Sequence, residues 1–357
     1  MAPANLKILL TTLLQTALVS VVPAGDASSS SDWNLIWSDE FEYSGAPDPE
    51  KWGYDLGAGG GGNGERQVYT DELENARVEN GSLLIQAVQT NGDTRAPTYT
   101  SARLVTREKK SIQYGRVEVR AIMPNETGTW AAIWMLPTDA LFSDLYWPNN
   151  GEIDIVEHVG YEQDPLSLQL KGVNFLNNLH STIHSEKQNF LNSGGIGAST
   201  YLEEISTQFN VYAFEWFPDG MEFFINGESY LRVDRETDVA IPVRNRPDDT
   251  TPWWPFDQRF HLLMNLAVGG NWGGHFNQDF YGSSPHPIGI DYNGNWPQTM
   301  EVDYVRMYEH SSMLSEPATV VPGMINPLDY IAERGGVYEI LRSTKRGIAT
   351  RCIEVHL

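Results

Sequence analysis

The sequence predicts an all-β chain built as a sandwich or jelly roll, and three observations carry that expectation. Short β-branched or alternating segments recur along the chain, Gly, Pro, Asn and Asp separate them, and no amphipathic stretch of helical length competes with them. The clearest strands are Ser82 to Val88, Arg116 to Met123, Glu152 to Val159, Val211 to Phe217, Met221 to Ile225, His261 to Val268 and Met300 to Tyr308. Asp219-Gly220 and Asn226-Gly227 each sit between apolar runs and accept the positive φ of primed turns, so two consecutive tight hairpins are expected. No repeat of fixed period is present, which argues against a propeller or solenoid.

Composition narrows the classes. The 357 residues are 41% hydrophobic and 20% charged, enough for a large core. With 24 basic against 47 acidic residues the formal charge is -23, which repels phosphate backbones and anionic lipid. Nucleic acid is excluded as a partner on that ground. Lys7, the apolar run Ile8 to Val22 and the small residues Ala24, Gly25 and Ala27 read as a signal peptide, too short to span a bilayer comfortably. The expected organisation is a signal peptide over 1–24, a Ser-rich linker over 25–31, a catalytic domain over 32–310 and an extension over 311–357 without strand rhythm. A secreted monomer without a membrane span is the expected product. The single cysteine, Cys352, allows no intrachain disulfide. Sequons at Asn80 and Asn125 fit export to a glycosylating compartment.

The chemistry concentrates in Trp147-Pro-Asn-Asn-Gly-Glu-Ile-Asp-Ile-Val-Glu-His158. On a strand Glu152 and Asp154 share a face while Ile153 and Ile155 take the other. Glu157 would point away from them in a regular strand. One extra residue, a β-bulge near Ile155 and Val156, would bring it back. Four strand steps, roughly 13 Å, then separate the two Glu Cα atoms, so strand curvature and side-chain length must close the gap. Three acids on one face repel one another, a cost that points to function. Two carboxyls, one as nucleophile and one as proton donor, are what a retaining glycosidase needs, and that chemistry requires no cofactor. A calcium site is the competing reading, although calcium loops interleave Gly and Asn rather than Ile and Val.

Other motifs are weaker. His180 and His184 share a strand and would lie roughly 13 Å apart, so no zinc site follows from their spacing. The run Gly59 to Gly62 lacks the Gly-Lys-Ser/Thr of a phosphate loop and reads as a rim loop. The 11 tryptophans suit a sugar cleft, because indole faces stack on pyranose C–H faces. Trp37, Trp52 and Trp216 are expected in the core; for each of Trp130, Trp254 and Trp272 cleft rim and packing are equally open readings.

Taken together, these residues resemble glycoside hydrolase family 16, in its laminarinase branch. Glu152, Asp154 and Glu157 match its Glu-x-Asp-x-x-Glu signature. The likeness continues through Trp37-Ser-Asp-Glu-Phe41, Gly62-Asn-Gly-Glu65, Tyr114-Gly-Arg-Val-Glu118, Trp130-Ala-Ala-Ile-Trp-Met-Leu-Pro137, Trp254-Pro-Phe-Asp257, Leu266-Ala-Val-Gly-Gly-Asn-Trp272 and Glu301-Val-Asp-Tyr-Val-Arg306. The resemblance implies a jelly roll with a concave cleft that cuts β-1,3-glucan internally with retention of configuration. It implies Glu152 as nucleophile, Asp154 as its assistant and Glu157 as acid and base. It further implies that Trp134 and Trp147 are sugar platforms, that His184 lies beside the catalytic strand, that Asn63, Arg103 and Trp130 contact substrate, and that Asp303 with the Gly81 backbone holds a structural calcium. Asn210 departs from the family, where histidine is common. A mixed-linkage glucanase, a transglycosylase or a non-catalytic glucan-binding lectin are the alternatives, and lectins of this type lose the two glutamates.

Overall fold

The computed structural model describes residues 32–58, 63–90, 98–160, 177–191, 194–235, 254–273 and 295–313, and the backbone of 338–344 and 347–353. The N-terminal segment read as a signal peptide and linker lies outside them. Residues Met1–Ser311 and Ser312–Leu357 form separate compact units.

In the first unit the strands are β1 (Trp33–Asp39), β2 (Gly53–Tyr54), β3 (Gly57–Ala58), β4 (Gln67–Tyr69), β5 (Ala76–Glu79), β6 (Ser82–Gln89), β7 (Tyr99–Ser101), β8 (Arg103–Val105) and β9 (Gly115–Ile122). They continue with β10 (Thr129–Pro137), β11 (Glu152–Val159), β12 (Asn178–His184), β13 (Ile196–Tyr201), β14 (Asn210–Phe217), β15 (Gly220–Ile225), β16 (Glu228–Asp234), β17 (Phe260–Val268) and β18 (Gln298–His310). One sheet runs β16-β15-β14-β9-β18-β6-β7-β4-β3, with β1 also on β18 and β5 on β6; the other runs β13-β12-β11-β10-β17-β8-β2. This is the expected all-β sandwich of jelly-roll type.

Side-chain alternation explains which face of the second sheet carries function. On β10, Ala131, Ile133 and Met135 enter the core, while Trp130, Trp134 and Leu136 turn the other way. On β17, Leu262, Met264 and Leu266 join that core, leaving Asn265 and Ala267 on the opposite face. The first sheet supplies Val117, Val119 and Ala121 from β9 and Val302 and Val305 from β18. Burying each of the larger of these side chains, the Val, Leu, Ile and Met residues, contributes about 1.5–3 kcal/mol. Because the core holds one face of the second sheet, its outer face is free to be polar and aromatic.

The hairpins follow the sequence only in part. Asn226 (φ 51°) and Gly227 (φ 84°) form the turn between β15 and β16 as expected. At the preceding turn Phe217 pairs with Gly220, so the turn residues are Pro218 and Asp219, and Gly220 has no positive φ. Its glycine is required by packing instead: a Cβ there would lie 2.6 Å from the Val233 carbonyl oxygen. Trp52 and Trp216 are buried and Trp37 packs against the core, as expected; Trp254 joins them at 3% exposure, which settles its role as packing.

In the second unit, Tyr338–Thr344 (β19) and Gly347–Ile353 (β20) pair antiparallel. The expectation that this extension has no strand rhythm is therefore corrected: Ile340, Ile348, Thr350 and Ile353 are β-branched, and the two stretches are bounded by Gly336 and Gly347.

Candidate active site

β11 reaches the outer face of the second sheet with one residue too many. Across to β12, Asp154 pairs with Thr182 but Glu157 pairs with His180, three steps against two. Across to β10, Trp134 pairs with Asp154 and Ile133 with Val156. The extra residue is Ile155, and the bulge returns Glu157 to the face that holds Glu152 and Asp154. Ile153, Ile155 and Val156 are buried in the core beneath, which pins the register.

Above these carboxylates lies an open cleft lined by Asn63, Glu65, Arg103, Trp130, Trp134, Tyr146, Trp147, Phe190 and Asn265 with Glu152, Asp154 and Glu157. Its volume of about 260 Å³ is below that of an enclosed small-molecule pocket, roughly 300–1,000 Å³. A ligand larger than that volume must lie across such a cleft rather than inside it.

Each glutamate is held by a tryptophan. The Trp147 indole N–H donates to Glu152, and the Trp130 indole N–H donates to Glu157 Oε1 at 2.9 Å. Asp154 hydrogen-bonds Glu152 and lies 3.2 Å from His184 Nε2 through its Oδ2. Burial, with repulsion from Asp154, pushes Glu152 up to about 8. Burial also pushes Glu157 up to about 7, and raises Asp154 well above the carboxylate range. Three such groups on one face share protons rather than titrate singly. The Trp147 N–H opposes part of the rise at Glu152 by stabilising its charged form.

The cleft floor has further supports. Glu65, 3% exposed, accepts from Asn63 Nδ2 (3.3 Å), Gln67 Nε2 (2.6 Å) and the Tyr69 hydroxyl (3.3 Å), and Arg103 lies 3.9 Å from it. The Arg103 guanidinium stands over the rings of Tyr69 (4.6 Å) and Trp134 (5.4 Å). Trp134 donates to Asn265 Oδ1 at 2.8 Å, which orients its indole.

Trp147 arrives on the loop between β10 and β11, and Asn150 organises that loop. Fully buried, Asn150 donates to the carbonyls of Ser143, Leu145 and Tyr146 and accepts from the N–H groups of Phe142 and Ser143. Gln258 clasps the Asn150 carbonyl and the Leu141 N–H. Gly151 then enters β11 at φ 90°, where a Cβ would meet the Phe256 ring at 2.9 Å. Only glycine fits that step.

The expected cleft residues Asn63, Arg103, Trp130, Trp134 and Trp147 line it together with the three acids, and His184 adjoins Asp154. Trp272 packs edge-on against Trp130 and His180 packs against Trp272, so both stand beside the lining residues rather than among them. Glu65, Tyr146, Phe190 and Asn265 were not anticipated as lining residues; of these only Glu65 carried a signal, as a charge inside a glycine-rich motif. Asp303, expected with the Gly81 backbone at a structural calcium, pairs with the Arg120 guanidinium through one carboxylate oxygen. Among the described residues the grouping that could hold a metal is Glu152, Asp154 and His184, within 4.8 Å of one another. Three donors fall well short of the six to eight oxygens calcium takes. Asn210, the departure from histidine, is buried and ties the Glu204 and Gln208 carbonyls to Asn226.

Residues 64–274 match the model of glycosyl hydrolases family 16. The chain belongs to that family. It is 43% identical over 292 residues to a β-glucanase of Rhodothermus marinus, covering 81% of this chain and 90% of that protein. It is 32% identical over 280 residues to a glucan endo-1,3-β-glucosidase of Cryptopygus antarcticus, covering 77% and 92%. The X-ray structure of the Rhodothermus marinus laminarinase superposes with a TM-score of 0.64 at 43% identity, covering 78% of this chain and 98% of that one. As a family 16 glycoside hydrolase the chain is an enzyme, and the bulged β11 carries the acids of its family signature.

Proposed function

We propose that this family 16 enzyme is a secreted, endo-acting glycosidase that cleaves β-1,3-glucan with retention of configuration. The observation that carries the reading is the bulge at Ile155, which sets Glu152 and Glu157 on one cleft wall, each fixed by a tryptophan N–H. In the first displacement Glu152 forms a bond to the anomeric carbon as the glycosidic C–O bond breaks, and Glu157 protonates the departing oxygen. In the second, Glu157 takes a proton from water, whose oxygen bonds the anomeric carbon and expels Glu152. Asp154 orients Glu152, and the Trp134 and Trp147 faces carry sugar rings. No cofactor enters these steps.

Relatives named as β-1,3-glucan hydrolases support the linkage, and the open cleft supports internal cleavage. The apolar N-terminal run supports secretion. Both glutamates are present, which opposes the lectin reading.

The test is release of reducing sugar from laminarin, lichenan and agarose by the wild type, Glu152→Gln and Glu157→Gln, with the anomer of the first product followed by NMR. Laminarin should be the preferred polymer, the first product should be β, and both variants should lose activity while remaining folded. Substantial activity in either variant, or an α product, overturns the roles; preference for another polymer overturns the substrate.

A further inference from the structure

Phe190 lies on the wall of the cleft with 57% of its surface exposed. Its ring sits 5.1 Å from that of Trp147, inclined at 32°, and meets His184 edge-on at 6.3 Å. Trp147 donates to Glu152, so Phe190 stands one ring beyond the reacting centre. Leu145 and Leu191 are equally exposed, at 59% and 67%, yet neither lines the cleft. The Phe190 ring alone among these three adds an apolar face to the groove.

The loop that presents Phe190 is fixed. Ser185 and Gln188 exchange backbone hydrogen bonds of 2.7 and 3.2 Å. Asn189, 1% exposed, donates to the Ser185 and Glu186 carbonyls and accepts from the Leu191 N–H. Leaving an aromatic ring in water is unfavourable, and holding it there on an ordered loop suits a ligand that covers it. The C–H face of a pyranose has the required shape and polarity.

We propose that Phe190 and Trp147 together form an additional glucosyl subsite beyond the sugar over Glu152, so that the enzyme favours chains long enough to reach it. This rests on the β-glucan reading above. A sugar stacked there adds binding that shorter chains forgo, so kcat/KM rises at the chain length that first reaches the ring.

The test compares kcat/KM for β-1,3-linked glucose oligomers of increasing length in the wild type, Phe190→Ala, Phe190→Trp and Leu191→Ala. Phe190→Ala should lose roughly fivefold on the longer oligomers and little on the shortest ones cleaved. The loss should appear in KM, Phe190→Trp should restore it, and Leu191→Ala should match the wild type. An equal loss at every length, or none, overturns the subsite while the glucanase reading stands. A wild type inactive on every oligomer and on laminarin overturns both.

Discussion

The Trp147 indole N–H is bonded to the Glu152 carboxylate, although the two residues belong to different elements, a loop and a strand. Replacing Trp147 by Phe keeps a ring but removes that donor. A hydrogen bond to a charged group is worth about 1.5–3 kcal/mol, so kcat/KM on laminarin should fall roughly 10- to 100-fold. Steady-state kinetics check this, and an unchanged kcat/KM would show that the bond does not stabilise the reacting charge.

Burial of the acids makes stability depend on pH. Folding raises Glu152 from 4.5 to about 8, so between those values the native state holds a proton that the unfolded chain has released. The native state then binds more protons, and stability falls as pH rises through that window. Glu152→Gln removes the penalty. Its melting temperature should match the wild type near pH 4.5 and exceed it by pH 8, read by differential scanning calorimetry; a gap that shrinks with rising pH would contradict the burial argument.

Asn150 serves five backbone groups of the loop that carries Trp147. Asn150→Ala strands buried partners at about 1–3 kcal/mol. Lower thermal stability and a raised KM on laminarin should appear together. A variant that melts like the wild type would show that the loop holds without its clip.

The strand Glu152–Val159 and its bulge were legible because both follow from side-chain alternation within a few residues: three acids share a face only if one residue is extra. The same local reasoning failed at Asp219-Gly220, where the glycine answers to the Val233 carbonyl on a neighbouring strand rather than to its own φ. It failed again at β19 and β20, whose β-branched residues Ile340, Ile348, Thr350 and Ile353 are too sparse to give the alternation that marks a strand.

By itself the sequence determined the all-β architecture, the identity of the acids and their common face, since alternation and turn chemistry are properties of neighbouring residues. Tertiary structure decided which tryptophan holds which glutamate, that Asp303 serves Arg120, and that Glu65, Asn265 and Phe190 line the cleft. Those relationships depend on which strand lies beside which and how a loop turns back: β10 beside β11 sets Trp130 on Glu157, β9 beside β18 sets Arg120 on Asp303, and the β10–β11 loop returns Trp147 to Glu152, none of which a local residue pattern specifies.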